Sequence, residues 1–309
     1  MAGSLFFIGH VSVDTVENVH GRHIQPGGAA LHAAVAARTL VGDVKLASVV
    51  GKDYQFMDIL SFFPQRYLKI SSLPSTRFRI RYDERWDAHY IEAEYGAGKR
   101  ISPTMISTGC LKQDDVIHIS PLPPVKVEKI INRIIEVSPK TKISVNTWIG
   151  YIKGRKNRKI LKQQASKVDF FIINDSEAKK LTETQSLSTA LRLLNAKTLV
   201  VTLGELGAII ITEKEGVQMV PALSFPVKKI VDTTGAGDAW CGAFLAAYTL
   251  SKDFVKSVTA ASVISSIKCT GWGFNKLLKL KFRSVESIAE YVIGLREGSL
   301  QKRLSDYYL

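Results

Sequence analysis

Seven segments of the chain are apolar runs rich in β-branched and aromatic residues: "SLFFIG", "VKLASVV", "VIHIS", "KISVN", "VDFFII", "TLVVT" and "GAIIIT". Several are continuously apolar, as strands covered on both faces must be. Between many of them lie segments of helical periodicity, such as "AALHAAVAARTL", "VEKIINRIIEV" and "SLSTALRLLNA". Strand and helix in alternation predict an α/β fold with a mainly parallel sheet and helices on both sides. Two segments break the rhythm. Residues 11–25 are polar and strand-like without a helix, and Arg77–Tyr95 alternates at period two, with Phe78, Ile80 and Tyr82 before a "DERWDA" turn and Tyr90 after it. Such alternation predicts strands with one buried and one wetter face. These two pieces are expected to form a small β lid, about 11–25 and 77–95, on a single domain spanning 1–309. An extra edge hairpin on the main sheet is the other arrangement the pattern allows.

The composition adds little to that picture and the charge adds more. With 46% hydrophobic and 23% charged residues, the chain has an ordinary globular balance. Its three cysteines, Cys110, Cys241 and Cys269, are widely separated. That argues for a reducing compartment and against a disulfide framework or a zinc site. No apolar run approaches the roughly 18 residues of a membrane span, and the N-terminus lacks a basic start. A cytoplasmic protein without a membrane partner is expected. The formal net charge is +14, and residues 126–162 hold eleven basic residues against Glu128 and Glu136. Despite this excess no nucleic-acid partner is expected, because no aromatic stacking pattern or base-reading motif accompanies it. A solvated face leading into an amphipathic helix accounts for the "KGRKNRK" stretch.

One stretch points to chemistry. "DTTGAGDAW", Asp232–Trp240, places two glycines and a carboxylate just before an apolar helical run. A helix N-terminus has unpaired amides and a partial positive charge, so it holds anions. The amides of Ala236, Gly237 and Asp238 would form such a pocket, with Gly235 and Gly237 admitting a phosphate close to the backbone. A carboxylate beside a transferable phosphoryl group can take the proton of an attacking hydroxyl. Asp238 is expected to be that base, kept ionised by the helix terminus. A plain glycine-rich helix cap is the competing reading. There is no Walker A motif, and Trp240 stands where a GxGxxG fingerprint needs its third glycine.

The same stretch resembles the C-terminal signature of the ribokinase-like (PfkB) carbohydrate kinases, D-T-x-G-A-G-D followed by an aromatic and a small residue, here Trp240 and Gly242. "PGGAALHAAVAARTLVG" is similar to the first signature of that family, and "ASVVGKD" continues it. "IINDSEAKKLT" matches its N-x-x-E element through Asn174 and Glu177, and "VVTLGELGAIII" its next nucleotide-side strand and turn. The resemblance implies a ribokinase-like three-layer α/β/α sandwich with a small β lid, and an ATP-dependent kinase using Mg2+. It implies that Asp14, Gly27, Gly28 and His32 bind the acceptor. Asn174, Thr202, Gly204, Gly207, Gly235 and Gly237 then bind the nucleotide, Asp238 catalyses with the loop Gly235–Gly237 as anion hole, and Glu177 reaches the metal through water. A homodimer through the lid is a further expectation.

Two departures fall on the acceptor side. His32 stands where the family often carries asparagine, and the segment between Asp53 and Arg77 is short. They weaken a simple ribokinase reading, and the resemblance implies an acceptor among small sugars, sugar acids and polyols such as inositol. A nucleoside kinase and a non-catalytic nucleotide- or nucleic-acid-binding protein on the same scaffold stay open as alternatives.

Overall fold

The computed structural model describes residues 4–112, 115–223, 225 and 229–305. All seven apolar runs are strands. In chain order the strands are β1 (Leu5–Ile8), β2 (Ser12–Asn18), β3 (Gly21–Gly27), β4 (Val44–Gly51), β5 (Leu68–Ser71), β6 (Thr76–Tyr82), β7 (Ala88–Glu94), β8 (Val116–Ile119), β9 (Lys142–Asn146), β10 (Phe170–Asn174), β11 (Thr198–Thr202), β12 (Gly207–Thr212) and β13 (Gly216–Pro221). The helices are α1 (Ala29–Ala37), α2 (Met57–Leu60), α3 (Pro124–Val137), α4 (Arg155–Lys167), α5 (Asp175–Thr182), α6 (Leu187–Leu193), α7 (Ala236–Ser251), α8 (Phe254–Cys269) and α9 (Glu286–Ser305).

A nine-stranded sheet runs in the order β13-β12-β11-β10-β9-β8-β1-β4-β5, parallel from β11 to β5 and antiparallel at β12 and β13. Side chains alternate across it. Leu5, Phe7, Phe170 and Ile172 join the apolar core shared with α1, α7 and α8. Phe6, Ile8, Phe171 and Ile173 join the opposite core, under α3 to α6. Burying each of these phenylalanines is worth roughly 1.5–3 kcal/mol, and the two cores make this a three-layer α/β/α fold.

The polar segments that broke the rhythm form a separate four-stranded sheet, β3-β2-β6-β7, not an extra hairpin on the central one. Its small apolar face is built on Val16, Ile80 and Tyr82, whereas β7 is exposed along its length. The "KGRKNRK" stretch opens α4 directly after Gly154, and Arg158 pairs with Glu183 at 2.6 Å. Among the described residues no helix is long and apolar enough to cross a membrane.

Candidate active site

Parallel α/β sheets place ligands beyond the carboxyl ends of their strands. Here β1 ends before His10, β9 ends at Asn146, β10 at Asn174 and β11 at Thr202, and all four line one cleft. Asp238 enters it from the first turn of α7. That approach depends on Gly242, since a side chain there would overlap the Ala33 carbonyl of α1. The two helices therefore pack backbone to backbone and bring the start of α7 over the sheet.

The turn before α7 is tight. Gly235 has φ 69°, a left-handed conformation that costs glycine little, and a Cβ there would overlap the His32 ring. The amide of Ala236 donates to the Thr233 carbonyl at 3.0 Å, so the expectation that it faces an anion is corrected: closing this turn consumes it. The amides of Gly235, Gly237 and Asp238 have no partner among the described residues. A Cβ on Gly237 would meet nothing within 4 Å, yet the residue lines the cleft. No described residue fills that space.

Asn146 Nδ2 donates to Asp238 Oδ1 at 3.1 Å. Burial nonetheless raises the Asp238 pKa to about 6, outweighing that bond. Removal from water counts for more here than the helix terminus, yet a carboxylate at about 6 is still mostly ionised at neutral pH. A carboxylate with this pKa is better matched to proton transfer near neutrality.

On the other side of the cleft, Asp14 of β2 is only 3% exposed. Ser12 Oγ donates to its Oδ1 at 2.6 Å, and burial raises its pKa to about 7. A side chain at Gly27 would overlap the Asp14 carboxylate, and Gly28, at φ 99°, turns the chain into α1. His32 on α1 also lines the cleft; burial lowers its pKa to about 3, so it is a neutral imidazole, with neither ring nitrogen hydrogen-bonded among the described residues.

Asn174 and Glu177 form a capping box. Asn174 Oδ1 accepts from the Glu177 amide at 2.8 Å, and Glu177 Oε2 from the Asn174 amide at 3.0 Å. Both still line the cleft, and burial raises the Glu177 pKa to about 7. Among the described residues no group of three acidic, histidine or cysteine side chains is gathered to hold a metal. With one oxygen committed to the cap, Glu177 fits a magnesium ion through water, the ion keeping most of its own hydration. Thr202 reaches the cleft, whereas Gly204 and Gly207 shape the turn between β11 and β12 and are absent from the cleft wall.

Sequence reasoning missed an aromatic wall. Phe78, Tyr90 and Tyr95 from the second-sheet segment face Trp148 and Tyr151 across the same cleft. Tyr90 and Trp148 lie 5.0 Å apart edge-on, as do Trp148 and Tyr151 at 5.4 Å. These residues are scattered over the sequence and no motif joins them. Asn146 and Trp148 had one usable signal, their position at the carboxyl end of a buried strand. His10, set between Phe78 and Tyr95, is 6% exposed, and its ring nitrogens have no partner among the described residues.

The family model described as pfkB family carbohydrate kinase matches residues 92–278. A cytidine kinase of Thermococcus kodakarensis is 31% identical over 264 residues, covering 82% of this chain and 91% of that protein. A ribokinase of Lactococcus lactis is 27% identical, covering 86% and 90%. Among solved structures, the Burkholderia thailandensis nucleoside kinase in complex with inosine superposes with a TM-score of 0.77 at 18% identity, covering 94% of this chain and 99% of that one.

Proposed function

The chain belongs to the pfkB family of carbohydrate kinases, and on that premise we propose that it transfers the γ-phosphoryl group of ATP to a hydroxyl of a nucleoside. The observation that carries the acceptor is the aromatic wall beside Asp14. Flat bases stack on such side chains for about 1–3 kcal/mol each. A polyol such as inositol has no flat face to offer it. The cytidine kinase relative and the inosine-bound neighbour support the same choice. Free ribose is the second reading, favoured by the ribokinase relative and by a carboxylate suited to paired hydroxyls.

In this reading Asp14 accepts hydrogen bonds from other hydroxyls of the acceptor, and the reacting hydroxyl lies before Asp238. Its oxygen forms a bond to the γ-phosphorus while the bond to the β-phosphate oxygen breaks, releasing ADP, and the hydroxyl proton passes to Asp238. The amides of Gly235, Gly237 and Asp238 stabilise the charge on the transferring group. Magnesium, arriving with the nucleotide, supplies charge neutralisation at the phosphates.

A comparison of kcat/KM across cytidine, uridine, adenosine, inosine, ribose, fructose and inositol tests the acceptor class. A nucleoside is expected to exceed ribose by at least about tenfold, the worth of one stacked base. Equal or better use of ribose would reject the nucleoside.

Asp14→Ala is expected to raise the acceptor KM by about tenfold or more, some 1.4 kcal/mol, with the ATP KM little changed. Steady-state kinetics with each substrate varied in turn reads this directly. A wild-type acceptor KM with a lowered melting temperature would make Asp14 structural.

The pH profile follows from the same carboxylates. Asp238 takes a proton only when ionised, so kcat/KM is expected to fall as pH drops through the Asp14 and Asp238 values of about 7 and about 6, and to level off above them. The apparent constants belong to the set, because the groups share one cleft. A profile flat between about pH 5 and 8 would contradict this assignment.

A further inference from the structure

Asp232 opens the anion loop, and nothing in the transfer chemistry uses its side chain. Both it and Lys268, near the end of α8, have fully buried side chains. Lys268 Nζ donates to Asp232 twice, to the carboxylate Oδ2 and to the backbone carbonyl, each at 2.9 Å. Oδ2 also accepts from Gln25 Nε2 at 3.0 Å and from the Gly273 amide at 3.3 Å, while Oδ1 accepts from the Thr234 amide at 2.8 Å. One carboxylate thus joins the anion loop, the end of α8, the loop after it and β3 of the second sheet. Gln25 in turn stands directly opposite Asp14 in the β2–β3 ladder.

A buried ion pair is seldom the most stable way to fill a space, since well-packed apolar side chains of similar volume do as well or better. What it adds is direction. Burial alone would raise the Asp232 carboxyl, but the Lys268 charge and the surrounding donors hold it below the usual carboxylate range. The bonds therefore fix where the loop begins and which strand it follows. Small errors there matter, because misplacing reacting groups by about 1 Å costs on the order of 10²-fold in rate.

We infer that Lys268 is a positioning residue, an internal ammonium that, through Asp232 and Gln25, holds the anion loop in register with the strand carrying Asp14. The inference rests on the reading of residues 233–238 as the phosphate-binding loop. It assigns Lys268 and Gln25 no contact with substrate. Their effect is on alignment, so in the folded protein that of Lys268 appears in turnover and nucleotide affinity and that of Gln25 in the acceptor KM.

Three variants test it. Lys268→Met, which fills the space without a donor, is expected to bind ATP more weakly by calorimetry and to lose at least about tenfold in kcat per folded molecule. Lys268→Ala is expected to lose as much, and to regain several-fold when methylammonium, which restores the N–H donors, is added. Tetramethylammonium, which has none, should not restore it. Gln25→Leu keeps the ion pair and cuts only the link to β3, so the acceptor KM should rise several-fold with ATP affinity unchanged. Should both lysine variants fail to fold, Gln25→Leu decides alone. Folded Lys268→Met with wild-type kcat and ATP affinity would overturn the inference, as would losses in Lys268→Ala that track only the unfolded fraction and ignore methylammonium. An unchanged acceptor KM in Gln25→Leu would likewise overturn it. Wild-type protein that binds no ATP would overturn the phosphate-loop reading itself, and this inference with it.

Discussion

Asp238→Asn is expected to lower turnover by about 10²–10⁴-fold, the usual worth of a positioned general base, with the fold and the ATP KM preserved. The substitution keeps the side chain's size and removes only the capacity to accept the hydroxyl proton. Asn146 Nδ2, which now donates to Oδ1, can bond the new amide oxygen equally well. The carboxylate also sits in the first turn of α7, where an amide is tolerated sterically. A neutral side chain there even removes a negative charge from the phosphate site, so ATP should bind no worse. Steady-state kinetics together with a thermal melt would separate these effects. A variant with near-normal turnover would reject Asp238 as the base.

Gly237→Val should abolish productive nucleotide binding, raising the ATP Kd by at least about 100-fold. Two charge-assisted bonds from open amides are worth roughly 1.5–3 kcal/mol each, and a branched side chain beside them would occupy the phosphate's place. The protein itself has room for that side chain, since a Cβ at 237 meets nothing within 4 Å. Stability should therefore change little, by about 1 kcal/mol at most, since valine has a somewhat better helix propensity than glycine. This contrast makes the variant informative. Calorimetry with ATP and a melting curve on the same sample would check it, and unchanged ATP affinity would place the phosphates elsewhere.

The central strands were readable because both faces are covered, which leaves "FFI" and "FFII" apolar at every position. β5 and β13 were not, being at the edges of the sheet, where LKIS and GVQMVP are largely wet and carry no clean period. The loop proposed for phosphate could be picked out because consecutive residues build it. The wall proposed for the acceptor could not, because Phe78, Tyr90, Trp148 and Tyr151 meet only after the second sheet folds over the strand ends. Single aromatics in a sequence look like core. The pair of Asp232 and Lys268 is hidden for the same reason, since a lone lysine in a helix reads as surface. Lost as well was the proton affinity of Asp238, which depends on burial that no local pattern encodes.

The central claim is transfer of a phosphoryl group from ATP to an acceptor hydroxyl. Following γ-labelled ATP by phosphorus NMR in the presence of each nucleoside tests it most directly. The label is expected in a phosphomonoester of the acceptor, one for each ADP formed, and Asp238→Asn should nearly stop its appearance. Label found only in inorganic phosphate, or ATP left unconsumed with every nucleoside and sugar supplied, would contradict it.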